Sequence, residues 1–219
     1  MLYERYNPKT WADYVGHVAT VARVRKIIEA RDYTGGGFLL TGDSGGGKSS
    51  MAGVMANVIA REPVQRVLLN GDDCTVEAVR ELRETLANPS MFGPWCVVIN
   101  ECHGLSPQAI KSWLTFFDKR PRGATIIFTT TERAVFREFD APMFSRVLKF
   151  HLAADPANLE AFAAYVKGVA VLEGLALGAP FDSFRQLITR CNYNLREALT
   201  QLEQGALEGP SAQGVSLAA

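Results

Sequence analysis

Apolar residues along the chain fall into two kinds of run. Short ones at Phe38–Thr41, Arg66–Leu69, Cys96–Asn100, Thr125–Thr130 and Val147–Phe150 are bounded by turn-forming residues and read as strands. Between them lie segments with helical spacing: Thr20–Arg31, Lys48–Ala60, Val76–Ala87, Pro107–Asp118 and a broken stretch around Ala134–Phe144. Several of the strands are continuously apolar, so both their faces are buried. That pattern predicts an α/β fold, a five-stranded parallel sheet with helices on both sides. Ser106 can cap the helix that begins at Pro107, where a missing N–H costs nothing. After Phe150 the strand signal stops, and Asp155–Leu172, Phe181–Cys191 and Leu195–Leu207 read as helices of a small all-α domain. The expected division is a sheet domain over residues 1–151, a helical domain over 152–207 and a flexible tail over 208–219, where small and turn-forming residues offer little apolar surface.

One of these strand-to-helix junctions carries chemistry. Phe38–Thr41 runs into Gly42-Asp43-Ser44-Gly45-Gly46-Gly47-Lys48-Ser49-Ser50, which matches G-x-x-x-x-G-K-[ST] in its required setting between a strand and a helix. Glycines at 42, 45, 46 and 47 let the backbone turn its N–H groups inward, and with the helix N-terminus they form a cradle for phosphate oxygens. Lys48 would reach the β- and γ-phosphates, and Ser49 offers a hydroxyl ligand to Mg²⁺. The expected cofactors are therefore ATP and Mg²⁺. A second apolar strand, Cys96-Val97-Val98-Ile99-Asn100-Glu101, ends in the polar pair that such a site needs. Asn100 stands where an Asp is usual; it accepts a hydrogen bond from a metal-bound water but adds no charge, so Mg²⁺ is expected to be held less tightly. Glu101 can orient and polarise the attacking water.

Bulk composition narrows the setting without naming a partner. The 219 residues balance 23 basic against 23 acidic side chains, and mean hydropathy is near zero. Four cysteines, Cys74, Cys96, Cys102 and Cys191, form no C-x-x-C pair, which points to reduced thiols and neither a disulfide framework nor a zinc module. His103 beside Cys102 has no second ligand pair and reads as structural. No apolar run approaches a membrane span and the start lacks a signal-peptide core, so a cytoplasmic location is expected.

Taken in order, these motifs resemble the AAA+ ATPases of the clamp-loader group: the bacterial gamma/tau subunit, the small subunits of replication factor C and phage clamp-loader ATPases. The likeness runs from residue 3 to about residue 205. Tyr3-Glu4-Arg5-Tyr6-Asn7-Pro8 and Val15-Gly16 are similar to the opening that holds adenine in that group, which assigns Tyr6, Pro8, Val15 and Gly16 to the base, with Asn7 in place of an Arg. Ala124–Thr131 resembles the sensor 1 strand, with Thr131 the first choice for the γ-phosphate or its water and Thr130 the second. Ser145-Arg146-Val147 is similar to a Ser-Arg-Cys motif, which makes Arg146 a finger entering a neighbouring subunit's site. Asn194-Leu195-Arg196-Glu197-Ala198-Leu199 resembles sensor 2, which places Arg196 over the γ-phosphate from a helical lid.

The helix 107–118 and the residues after it look like the element lining the DNA channel in these assemblies. Lys111, Lys119, Arg120 and Arg122 would track phosphates there without reading sequence. The resemblance therefore implies an ATPase weak as a monomer, with other AAA+ subunits, a sliding clamp and primed DNA as partners. The helical collar that follows the lid in clamp-loader subunits is not expected in this sequence. Two other readings stay open: a nucleotide-dependent binding switch with weak or no hydrolysis, suggested by Asn100, and another AAA+ DNA remodeller such as a branch-migration motor or helicase loader.

Overall fold

In the computed structural model, residues 1–87, 93–131 and 145–207 are described, and they form two compact units, Pro8–Ala153 and Met1–Asn7 with the residues from Ala154 onward. The first unit holds a sheet of β1 (Gly37–Gly42), β2 (Arg66–Asn70), β3 (Trp95–Asn100), β4 (Ala124–Thr130) and β5 (Val147–Leu152), in the order β2-β3-β4-β1-β5. Every pairing is parallel. The C-terminal ends of all five strands therefore share one edge of the sheet, where open α/β sheets bind their ligands.

Side-chain alternation divides the core in two. Leu39, Val97, Ile99, Ile126 and Phe128 face one way and pack with α4 (Val76–Ala87) and α5 (Pro107–Asp118). Phe38, Leu40, Cys96, Val98 and Ile127 face the other way, against α2 (Val18–Ile28) and α3 (Lys48–Ile59). Trp113 is fully buried at the centre of the first face, edge-on to both Phe116 and Phe128. The helix α5 begins as expected: Ser106 Oγ accepts from the Ala109 N–H and Pro107 opens the first turn.

The second unit contains α6 (Leu159–Glu173), α7 (Phe181–Arg190) and α8 (Leu195–Glu203), with a short α1 (Leu2–Arg5) built into it. Leu2 is buried and its N–H donates to Glu203. Tyr6 donates its hydroxyl to Glu173 Oε1 at 2.6 Å, Arg5 pairs with the same carboxylate, and the Tyr165 hydroxyl donates to the Tyr6 carbonyl at 2.7 Å. Residues 1–7 thus group with the helices, whereas the sequence placed them with the sheet. The expected stretch 134–144 and the tail 208–219 lie outside the described residues. No helix among the described residues is long and apolar enough to cross a membrane.

Candidate functional site

The loop from Gly42 to Ser49 joins β1 to α3 at the ligand-binding edge. Its conformation depends on glycine: Gly42 has φ 151° and a Cβ there would run into the Leu152 carbonyl, while Gly47 has φ 85° and a Cβ there would lie 2.7 Å from the Tyr14 hydroxyl. The first turn of α3 closes with the Met51 N–H on the Gly47 carbonyl at 2.8 Å, so the amides of that turn and the positive end of the helix dipole face the loop. Lys48 is only 4% exposed and points back into the loop, donating to the Asp43 carbonyl at 2.7 Å. A phosphate oxygen can replace that acceptor, so the glycine cradle, the buried ammonium and the Ser49 hydroxyl fit a triphosphate with its Mg²⁺. Asp43, Ser44 and Ser49 are exposed, and Gly45, Gly46 and Ser50 are half-buried along the same loop.

Next to it, the ends of β3 and β4 are joined by hydrogen bonds. Asn100 points to the α2/α3 face, as Val98 does two residues earlier, and there the buried Thr129 hydroxyl donates to Asn100 Oδ1 at 3.1 Å. The same Thr129 oxygen accepts from the Glu101 N–H at 3.3 Å. Glu101 leaves the strand at φ 49°, ψ 51°, a left-handed conformation that costs a non-glycine residue about 1–2 kcal/mol. Its carboxylate lies 3.3 Å from His103 Nδ1, and that nitrogen is 3.1 Å from Thr130 Oγ1. Thr131 follows the last residue of β4 and is half-buried.

Arg146 lies elsewhere. It directly precedes β5, whose Val147 is in register with Gly37 while Leu152 is in register with Gly42. Six strand residues at about 3.3 Å each put it about 20 Å down the sheet from its own phosphate loop. There its Nε and Nη2 donate to Asp118 Oδ1 at 2.9 and 2.7 Å. Arg196, in the helical unit, rests its guanidinium 5.5 Å from the centre of the Tyr3 ring, on a helix capped by Asn194, whose Oδ1 accepts from the Glu197 N–H. Of the expected adenine contacts, Tyr6 is tied to Glu173 in the helical unit, while Pro8, Val15 and Gly16 belong to the sheet unit; Gly16 (φ 83°) and His17 (φ 49°) form a left-handed turn into α2.

Sequence reasoning passed over Thr129, Tyr14 and Asp118 and read His103 as structural. Thr129 was within reach, because period-two spacing puts it on the same face as Ile127, the face that also carries Val98 and Asn100. The Tyr14 hydroxyl donates to the Gly47 carbonyl at 3.3 Å, and burial pushes its phenol above the ordinary range. Arg120, expected to face DNA, instead donates to the Thr34 and Ala124 carbonyls at 3.3 and 2.7 Å, whereas Lys111, Lys119 and Arg122 are exposed. All four cysteines are buried and unpaired, and burial pushes the Cys96 and Cys102 thiols up to about 12, which fits structural residues. No cluster of metal-binding side chains occurs among the described residues.

No family model matches the chain. It is 24% identical over 231 residues to the DNA polymerase III subunit gamma/tau of Mycoplasma pneumoniae, covering 93% of this chain and 32% of that protein. In structure it matches the RuvB Holliday junction branch migration motor of Thermotoga maritima with a TM-score of 0.73 and 17% identity over 90% of the chain. The fold is that of the AAA+ ATPases. A DNA polymerase III gamma subunit-related protein of Thermotoga maritima also matches, with a TM-score of 0.59 and 17% identity over 84% of the chain. The chain thus resembles the clamp-loader group in sequence and fold. It spans about a third of the gamma/tau subunit's length and 64% of the RuvB chain.

Proposed function

We propose that the chain is a clamp-loader-like AAA+ ATPase whose site is completed by an arginine from a neighbouring subunit, and that it couples ATP binding and hydrolysis to placing a sliding clamp on primed DNA. The observation that carries the trans arrangement is the position of Arg146, about 20 Å along the sheet from its own loop and beyond an arginine's reach. A head-to-tail neighbour brings that end of its sheet to this loop.

In this reading the loop amides and Lys48 hold the β- and γ-phosphates, and Ser49 with Asn100 would hold Mg²⁺, which when bound neutralises phosphate charge. Glu101 orients a water and takes its proton as oxygen attacks the γ-phosphorus and the bond to ADP breaks. Thr129 fixes the backbone behind that carboxylate, and Thr131 is assigned to the phosphate or the water. The neighbour's Arg146 exchanges Asp118 for the phosphate and stabilises charge there. Arg196 from the helical lid is assigned to the γ-phosphate, and Tyr6, Pro8, Val15 and Gly16 to the base. Lys111, Lys119 and Arg122 supply positive charge for DNA.

The test is ATP turnover with and without candidate neighbouring subunits, clamp and primed DNA. Turnover that rises on their addition and vanishes in Lys48→Ala supports the proposal; full turnover by the isolated monomer contradicts it. Asn100 favours a second reading, a binding switch that scarcely hydrolyses. If Asn100→Asp converts an inert chain into an active ATPase, the switch is the natural state; if it changes little, asparagine suffices. Branch-migration motors and helicase loaders are separated from both by asking whether clamp retention on primed DNA depends on ATP.

A further inference from the structure

The geometry points to His103 as the positioning residue for Glu101, an assignment that rests on Glu101 being the group that orients water. Glu101 departs from the strand in a left-handed conformation, so the alternation that aims the side chains of β3 no longer aims this one. What aims it is the turn that follows. The Gly104 N–H donates to the Glu101 carbonyl at 3.0 Å, closing the short 3₁₀ turn Cys102–Gly104, and Cys102 anchors that turn with no exposed surface. Two residues on, the turn carries the His103 ring back beside the carboxylate.

The contacts bear on which ring nitrogen carries the proton. A carboxylate only accepts, so the proposal puts the hydrogen on Nδ1, which stands at ion-pair distance, 3.3 Å, from Glu101 Oε2; a bare nitrogen there would set its lone pair against the anion. In that tautomer Thr130 Oγ1, 3.1 Å from the same nitrogen, accepts from its N–H. Held as the Nδ1–H form, the ring ties Oε2 to the end of β4. The other oxygen, Oε1, has no partner among the described residues and is left for a water. Two consecutive threonines of β4 therefore hold Glu101 at both ends: Thr129 takes its backbone N–H, and Thr130 reaches its carboxylate through His103. Both side chains of the pair are only partly covered, His103 at 29% and Glu101 at 48% exposure. Their direct attraction is therefore modest, and orientation is the effect to look for.

The experiment compares His103→Ala, His103→Gln and His103→Asn with Glu101→Gln in the assembled, hydrolysing complex. Asparagine places its amide nitrogen where Nδ1 sits; glutamine places its own near Nε2. Alanine and glutamine should lower kcat by about 10–100-fold, the usual loss when a group that orients a catalytic ligand is removed, with KM for ATP within about twofold, and asparagine should recover most of the rate. Wild-type kcat in His103→Ala, or an asparagine variant as slow as alanine with KM raised, overturns the assignment. Should Glu101→Gln itself hydrolyse normally, the parent reading falls instead. An independent measurement needs no turnover: ¹⁵N spectra of the histidine rings, of which the chain has three, with His103 identified by its loss in His103→Ala. A neutral His103 ring protonated on Nδ1, reverting to mixed forms in Glu101→Gln, is expected; a ring protonated only on Nε2 refutes the proposal.

Discussion

Replacing Thr129 by valine removes a single hydroxyl in nearly the same volume, and that hydroxyl serves two partners. It donates to Asn100 Oδ1 at 3.1 Å and accepts from the Glu101 N–H at 3.3 Å, on a side chain with no exposed surface. Valine keeps the packing but leaves an acceptor and a backbone donor without their partners. Each loss costs about 1–2 kcal/mol; Asn100 is half-buried and recovers part of its share from water, so the net expectation is about 2–3 kcal/mol. In a chain of this size that lowers Tm by roughly 4–12 °C. Thr129→Ser retains the hydroxyl and loses one buried methyl, about 1 kcal/mol. Trp11, Trp95 and Trp113, the chain's three tryptophans, all lie in the sheet unit, so urea unfolding followed by tryptophan fluorescence reports that unit even if the helical one melts separately. Hydrolysis should fall along with stability, because the strained Glu101 backbone loses its anchor. A loss below about 0.5 kcal/mol for valine, or an equal loss for serine, would show that the hydroxyl does not hold this corner of the site.

Other substitutions probe the loop, the finger and the N-terminal helix. Gly47→Ala adds a Cβ at φ 85° and 2.7 Å from the Tyr14 hydroxyl, and should cost about 1–3 kcal/mol in denaturant unfolding; Gly47→Ala with Tyr14→Phe should recover only the steric part. Asp118→Asn breaks a surface pair with Arg146 and should change stability by less than about 1 kcal/mol, far less than Arg146→Ala should change turnover. The Tyr6 hydrogen bond and the Arg5 ion pair hold the Glu173 carboxyl below its ordinary range, so this contact stabilises the folded state above ordinary carboxylate pH and is lost as pH falls through the depressed value. The Tyr6 phenol is raised by the same Glu173 bond, so its contribution is present below the ordinary tyrosine range and lost as pH rises through the raised value. Amide exchange in Leu2–Arg5 should accelerate at both extremes, and Glu173→Gln should flatten the acid limb.

The sheet was legible in the sequence because its signal is local. Runs such as Phe38–Thr41 and Val147–Phe150 mark strands that extend only one or two residues further in the structure. The conformation of the Gly42–Ser49 loop was legible because it is written in glycine positions and spacing. Boundaries drifted where capping decides them: α2 begins at Val18, earlier than Thr20, because the left-handed turn at Gly16 and His17 starts it, and α6 begins at Leu159 because Asp155 caps a 3₁₀ turn, accepting from the Ala157 N–H. The helix Leu2–Arg5 was beyond sequence reasoning, since four residues show no period and its partners Glu173 and Glu203 lie far along the chain. The His103 contact was hidden for another reason: nothing in a glutamate announces a left-handed backbone, and that backbone decides where its carboxylate goes.

The claim that one subunit's Arg146 completes another's site is tested most directly by mixing two inactive variants. Lys48→Ala cannot hold the triphosphate but still presents Arg146; Arg146→Ala binds ATP but presents no finger. Each alone should lose about 10³-fold or more in turnover at saturating ATP. In a one-to-one mixture with random head-to-tail pairing, about a quarter of junctions combine an intact loop with an intact finger, so about a quarter of wild-type turnover should return. A mixture no more active than its components, or Arg146→Ala active by itself, would contradict the account.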